Sequence, residues 1–466
     1  MYQFSGKLKT FSIALMIIGA LAVGYSFLTA PKTIEDAKEI LATQHDAHGA
    51  AADHSTTKTD AHATKEINAD KHATSDAHAA DEHAEHALHA LKNKPWAATY
   101  VALFFFLGIS LLVLAFYASQ RVAQAGWSVV LFRVMEAITA NIVPASILMF
   151  VVVMTSAGHL NHLFVWMGEG VFDPNSPNYD AIVDGKKWWL NVPGWTIRSV
   201  VYLLGWNAYR FIIRKNSIKE DTANDGNKTY KKNYHASVIF LIFFMVTESM
   251  MSWDWIMGLD PHWFSTLFGW YVLATLLVSA LTVIAFVTIY LRSKGHLPFV
   301  NDSHIHDLAK FMFGFSVFWT YLWFAQFMLI WYADMSEETV YFIARFNEYK
   351  ALFLGMVVMN FVFPILLLIN SDYKSRPWFV VIGGLVILAG HYIDVFVMIM
   401  PATVGDQWSI GIPELGALAF FIGLFIFVTF RAFSKAAPLA SGNPFLHESE
   451  HFHYYNIEHE GEENHH

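Results

Sequence analysis

Ten apolar runs of bilayer-spanning length constrain this chain more than any other feature of its sequence. A helix needs about 20 apolar residues to cross the hydrocarbon core, whereas a spanning strand needs about half as many and alternates in polarity. The runs are continuous, so the sequence predicts an all-α polytopic membrane protein with about ten transmembrane helices. They lie at about 10–30, 97–119, 128–156, 189–213, 234–256, 264–291, 308–332, 347–369, 377–400 and 411–434.

Composition agrees with a membrane protein and limits its redox chemistry. Charged residues make up only 15% of the chain, whereas a soluble protein carries about a quarter. The chain contains no cysteine, which excludes disulfides, thiolate metal sites, iron–sulfur ligation and covalent c-type haem within it. The net charge of -9 comes largely from one loop and the C-terminal tail and does not indicate nucleic-acid binding. Any redox cofactor is therefore expected to be bound non-covalently or to lie in a partner protein.

The sequence divides into four parts. Residues 1–31 form a first transmembrane helix, which we expect to be retained because Pro31 follows the apolar run directly and suits a cleavage site poorly. Residues 32–95 are a His-rich hydrophilic loop, expected to be mobile or weakly helical. Residues 96–435 are the helical membrane domain, and residues 436–466 a polar tail. Nine histidines from His45 to His89 raise the alternative of metal binding. Their irregular spacing favours a solvated spacer without a defined metal site.

Basic residues in the short loops predict the orientation, because such residues collect on the cytoplasmic side. We therefore predict a multi-pass inner-membrane protein with both termini in the cytoplasm and the His-rich loop in the periplasm. The short outer loops hold few basic residues, Lys186, Lys187 and Arg345. The inner segments hold Arg121, Arg210, Arg214, Lys215, Lys219, Lys228, Lys231, Lys232, Arg292, Lys294, Lys374, Arg376, Arg431 and Lys435.

Ionisable side chains within the apolar runs are candidates for a proton path, because each costs about 3 kcal/mol to insert. Arg133 and Glu136, near the inner side, are three residues apart and can pair, with a purely structural ion pair as the alternative. The candidates are Arg133, Glu136, Arg198, Glu248, Asp254, His391 and Asp394.

A second group of candidates lies toward the outer side. Glu248 and His391 each lie about 20 Å into their helices, so we expect them to share a layer. Asp394 is three residues after His391, an arrangement that can hold or relay a proton, and the alternative is a neutral, hydrogen-bonded core histidine. The hypothesis is an inner and an outer polar path that do not meet in the sequence. Haem b needs two histidines that face each other across helices, and only His391 lies well inside an apolar run. Haem b is therefore not expected in this chain.

Two aromatic motifs resemble a known family. Residues 254–269 read DWIMGLDPHWFSTLFG, and residues 321–341 read YLWFAQFMLIWYADMSEETVY. Both are similar to motifs of the F subunits of bacterial alternative complex III, a quinol:cytochrome c oxidoreductase. Those subunits belong to the NrfD-like, polysulfide-reductase membrane-anchor family.

The resemblance implies two four-helix bundles with flanking helices, and a non-catalytic subunit that acts as scaffold and candidate proton-translocation path. It implies partners that hold the cofactors: a multihaem cytochrome c, an iron–sulfur protein and a sister NrfD-like subunit, with a terminal oxidase as a further candidate partner. Menaquinol oxidation is expected at the sister subunit, next to haem c and iron–sulfur clusters, and this chain is expected to bind no cofactor directly.

Two alternatives stay open at this point. The first is a stand-alone secondary metal transporter, which would show paired helix breaks around a midplane site; Pro144 and Pro364 are single interruptions. The second is a subunit with its own quinone site, in a pocket lined by aromatic residues and a protonatable group such as Asp254.

Overall fold

The computed structural model describes residues 2–40, 69–223 and 225–453, with side chains in the second helix at residues 84, 85 and from 87 onward. Across these ranges no strand occurs, and nine helical segments are long and apolar enough to cross a membrane. The prediction of an all-α polytopic membrane protein is therefore confirmed. The helices are α1 (Gly6–Thr29), α2 (Ala69–Val122), α3 (Gly126–Ala157), α4 (Val192–Glu220), α5 (Lys228–Trp255), α6 (Phe268–Ser293), α7 (Asp302–Ala333), α8 (Ser336–Asn347), α9 (Lys350–Leu368), α10 (Pro377–Thr403) and α11 (Ile412–Phe433).

Helix α4 corresponds to the fourth predicted run, at 189–213, but is not one of the nine apolar segments found among the described residues. It is 29 residues long, enough to cross the hydrocarbon core, and it contains several charged and amide side chains. It packs along α3 and α5, so neighbouring helices cover its polar groups, and we treat it as a spanning helix.

Helix α2 begins well before the predicted apolar run at 97–119. Its first part is rich in alanine and other strong helix formers, which explains why a polar segment continues the helix. The predicted hydrophilic loop at 32–95 is thus helical from Ala69 onward. Its central part, 41–68, and the end of the tail, 454–466, lie outside the described residues.

The helices form two four-helix bundles, as the resemblance implied. In the first, α2 and α4 each pack against both α3 and α5; in the second, α6 packs against α7 and α10, and α9 packs against the same two helices. Helix α2 also contacts α6 and α10 and so joins the bundles. Helices α1 and α11 flank them and pack closely: a Cβ at Gly19 would lie 2.4 Å from the backbone nitrogen of Phe420, an approach that glycine permits.

The helix ends define two faces of the molecule. The basic face contains the ends of α2, α4, α6 and α11 and most basic loop residues. The other face, called the opposite face, contains the connections between α5 and α6 and between α10 and α11. Helix α1 begins at the basic face, and the short helix Leu446–Glu450 packs there, with Ser449 Oγ donating to the carbonyl of Trp127 at 2.7 Å. Both described ends of the chain therefore lie on one face.

Candidate functional site

The predicted pair of Arg133 and Glu136 belongs to a buried ionic cluster at the basic face. Arg133 Nη1 lies 2.7 Å from Glu136 Oε2, and Arg214 of α4 donates to the same oxygen. The hydroxyl of Tyr117 donates to Glu136 Oε1 at 2.9 Å. The cluster also contains an ion pair of Arg121 with Glu220 at 3.2 Å and one of Arg133 with Asp221.

This basic-face cluster contains as many carboxylates as guanidinium groups. Buried ions need close partners of opposite charge, because transfer from water costs several kcal/mol for each ion. Two guanidinium groups and two hydroxyls surround Glu136, which holds this carboxylate ionised and fixes α3 against α4. The sequence predicted the pair but not the other members, because nothing in it shows that the end of α4 meets α2.

Asp254 is locked in a second ion pair toward the opposite face. Arg198 donates to both of its oxygens, from Nε at 2.8 Å and from Nη2 at 2.7 Å. Tyr202 donates to Oδ2 at 2.8 Å, and the carboxylate is fully buried. A bidentate pair of this geometry is strong and directional, so Arg198 and Asp254 hold α4 against α5.

An aromatic cleft of about 330 Å³ adjoins this ion pair at the opposite face. The guanidinium carbon of Arg198 lies 4.1 Å from the ring centroid of Trp189, which forms one wall. Asp254 does not line the cleft, contrary to the arrangement suggested for a quinone pocket. The other aromatic walls are Trp188, Trp253, Trp263 and Phe264.

Asp394 occupies a different environment in the second bundle. It accepts hydrogen bonds from three uncharged donors: Tyr271 Oη, Thr275 Oγ1 at 2.8 Å and Trp319 Nε1 at 2.9 Å. Its ion-pair partner among the described residues is His391, with Nδ1 3.7 Å from Oδ2. Asp394 and His391 therefore form a buried couple whose charge depends on its protons, because no lysine or arginine pairs with this carboxylate in the described ranges.

Asn360 extends this acid–base couple across to helix α9. It lies in the π-helical turn Val358–Val362 and hydrogen-bonds His391 Nδ1 through Nδ2 at 3.3 Å. Asn360 Oδ1 and His391 Nε2 are both buried without a hydrogen-bond partner in the described part of the chain. Such atoms are usually satisfied by water, and π-helical turns often occur at functional sites. Asn360 Oδ1 and His391 Nε2 are therefore the two atoms of this site that a buried water molecule would satisfy.

Glu248 is buried in the first bundle and has an unpartnered Oε1 among the described residues. Helix α5 begins at Lys228, earlier than the predicted run at 234–256. Glu248 thus lies about 30 Å along its helix and His391 about 21 Å along its own. The two residues therefore do not share a layer by residue count from the helix starts. No hydrogen bond or ion pair connects Glu248 with His391 within the described ranges.

Two further features at the opposite face were not predicted as sites. Arg345 of α8 is 4% exposed and donates to the carbonyls of Tyr341 at 2.7 Å and Met398 at 3.4 Å; burial lowers the pKa of its guanidinium. A cavity of about 830 Å³ is lined by His89, His159 and His162, among others. Burial and these neighbouring histidines lower the pKa of His162.

The three histidines of this cavity are not arranged as a set of metal ligands among the described side chains. No group of three or more histidine and carboxylate side chains there is arranged to hold a metal ion. The histidines from His45 to His62 lie outside the described residues, as do the side chains of His72, His78, His83 and His86, so metal binding by the His-rich segment as a whole stays a prediction.

A glycine beside His391 gives a structural test of the Asn360 contact. A Cβ at Gly390 would lie 2.1 Å from Asn360 Oδ1, whereas one at Gly355 of α9 would meet nothing within 4 Å. We expect Gly390→Ala to lower the free energy of unfolding by about 1–3 kcal/mol through overpacking. Gly355→Ala should be neutral or stabilising by up to about 1 kcal/mol. Unfolding in detergent measures both; equal stability of the variants would contradict the contact.

Comparison with known proteins does not assign the chain to a family. No family model matches it, and no curated protein sequence matches it. The resemblance carried by residues 254–269 and 321–341 therefore stays a prediction, and the geometry of the buried groups carries the functional argument.

Proposed function

We propose that this chain is an NrfD-like membrane subunit of a quinol-oxidising respiratory complex of the alternative complex III type. In this proposal it anchors the complex in the bacterial inner membrane and provides a route for protons. Electrons pass from menaquinol to cytochrome c or an oxidase through haem c and iron–sulfur clusters of the partner subunits. The absence of cysteine from the sequence supports this division of labour, because iron–sulfur clusters and c-type haem need thiolate groups.

The couple of Asp394 and His391 is the observation that carries the proton-route proposal. Of the seven candidates, Arg133, Glu136, Arg198 and Asp254 are bound in Arg–carboxylate ion pairs, which favours fixed charges. Asp394 and His391 instead face each other without a guanidinium or ammonium partner in the described ranges. A proton on this couple changes its net charge in a low-dielectric site, which is the property that a relay requires.

The surroundings give the relay two ends. On one side, His391 Nε2 is unpartnered. In the tautomer with the proton on Nδ1, toward Asp394, the ring gives up the contact with Asn360 Nδ2 and Nε2 can accept a proton from water. On the other side, Tyr271 donates to Asp394 and lies in the first turn of α6, which begins at the opposite face. A proton accepted by the imidazole is stabilised by Asp394 and can leave toward the opposite face through hydroxyl groups of this kind.

The aromatic cleft favours one second candidate, a quinone site in this chain. Its walls are almost entirely apolar, and Lys186 donates from Nζ to the carbonyl of Pro261 at 2.6 Å within it. Apolar pockets with a few polar groups suit quinones. The cleft lacks a carboxylate among its lining residues, so a quinol bound there would need another proton acceptor.

Purification of the full-length chain through an affinity tag, in mild detergent, tests the proposal. We expect a multihaem cytochrome c, an iron–sulfur protein and a second NrfD-like chain to co-purify. The haem of the purified sample should be reduced by menaquinol, as followed by its absorbance spectrum. A lone chain that transports divalent metal into liposomes would contradict the proposal and favour the transporter.

A further inference from the structure

A long apolar cavity lies between the two bundles, and the proposed proton route does not use it. It has a volume of about 600 Å³ and is lined by residues of α2, α6, α10 and α11, with Leu8 of α1 at one end. Its lining is almost entirely hydrocarbon and aromatic side chains. Along α11 it extends from Leu418 to Phe430, roughly 18 Å at 1.5 Å per residue.

The length and position of this interbundle cavity match one leaflet of a bilayer. Half of the hydrocarbon core is about 15 Å thick, close to the cavity's roughly 18 Å. Tyr290 and Phe430 lie within one turn of the basic-face ends of α6 and α11, so the cavity starts at that face. An acyl chain that enters from the basic-face leaflet would lie along it.

Three segments rich in basic residues meet at the basic-face end of the cavity, and one of their cations, Arg292, is paired with Asp302 at 2.6 Å. Lys294 Nζ lies 5.9 Å from the ring centroid of Tyr290, and Arg431 follows Phe430 directly, while Tyr290 and Phe430 both line the cavity. The ring of Tyr2 packs 4.8 Å from that of His296 and 5.5 Å from that of Phe433, which brings the three segments together. None of the segments 2–9, 290–296 and 427–435 contains an acidic residue; their basic residues are Lys7, Lys9, Arg292, Lys294, Arg431 and Lys435.

We propose that the interbundle cavity binds an anionic glycerophospholipid, with an acyl chain in the cavity and its phosphate on the cations of the basic-face end. Lys7, Lys294 and Arg431 are exposed, so they are available to a headgroup. An isoprenoid quinone would fill the cavity but would not use the cations, and a zwitterionic lipid would use them weakly. The charge at the end of the cavity therefore selects the anionic lipid.

Lipid binding by the full-length chain in mild detergent tests this proposal. Delipidated protein is titrated with dioleoyl phosphatidylglycerol and, separately, with dioleoyl phosphatidylcholine. We expect phosphatidylglycerol to bind more tightly, and the double variant Lys294→Gln/Arg431→Gln to lose about 25-fold in affinity, about fivefold for each surface cation. The double variant Lys215→Gln/Lys232→Gln removes the same charge from exposed sites of α4 and α5 and should bind as the parent does.

A second arm tests the cavity itself. Ala389 lines the cavity and is exposed, so Ala389→Phe should fill part of it and weaken binding, whereas Leu366→Phe on the outside of α9 should not. Equal affinity for the two lipids, unchanged binding by the cation and cavity variants, or an isoprenoid quinone that displaces phosphatidylglycerol and binds more weakly to Ala389→Phe would each overturn the proposal.

Discussion

Replacing Glu136 with glutamine should destabilise the protein by about 3–5 kcal/mol, because it leaves buried guanidinium groups without their counter-charge. Arg133 and Arg214 both bind this carboxylate, and Tyr117 also donates to it. Arg133 keeps its pair with Asp221, so Arg214 is the group most affected. Denaturant unfolding in detergent, followed by tryptophan fluorescence, measures the loss.

The double variant Glu136→Gln/Arg214→Met provides the matched control. It removes the carboxylate together with the arginine whose ion pair in the described residues is with Glu136, so the cluster is neutral again. We expect it to recover more than half of the lost stability, which a double-mutant cycle resolves. A double variant as unstable as the sum of its single variants would show that the cluster is not held by this charge balance.

Replacing Asp394 with asparagine should abolish proton translocation through this chain, while electron transfer continues. The amide cannot take up and release a proton, and it loses the charge that stabilises a protonated His391 beside it. The measurement is proton release by the purified assembly in liposomes, with quinol oxidation held at a constant rate. We expect release to fall to the level supplied by quinol oxidation alone.

The matched control for this measurement is Asp334→Asn at the opposite face. Asp334 is exposed and adopts a left-handed backbone conformation with φ of 48°, which asparagine also tolerates. It should leave proton release unchanged. Because three donors surround Asp394, Asp394→Asn should also cost about 1–3 kcal/mol of stability, so release is compared at equal amounts of assembled complex. Unchanged release would remove Asp394 from any proton route.

Hydropathy predicted the number and class of the helices well, because the bilayer fixes both the length and the polarity of a spanning segment. Hydropathy does not detect helical segments that are polar or too short to span the bilayer. Helix α2 continues into a polar segment from Ala69 because alanine-rich sequence is helical in water as well. The amphipathic helix α8, Ser336–Asn347, was predicted as a loop because it is too short and too charged to cross.

The candidate residues could be found from the sequence, but their roles could not. Arg133 with Glu136 and His391 with Asp394 are both i,i+3 pairs, so local spacing predicted that each pair would meet. What distinguishes them comes from other helices: Arg214 neutralises Glu136, whereas Tyr271 and Trp319 bring Asp394 only uncharged donors. Such contacts between distant segments depend on how the helices pack, which periodicity does not specify.

The division of labour between this chain and its partners has one direct test. The full-length chain is expressed without its proposed partners, purified in detergent, and examined by absorbance and electron paramagnetic resonance before and after reduction with dithionite. We predict no redox-active signal from the lone chain, with haem c and iron–sulfur signals appearing only when the partner subunits co-purify. A haem or iron–sulfur spectrum that stays with the lone chain would contradict the account, because this chain would then itself hold a redox centre.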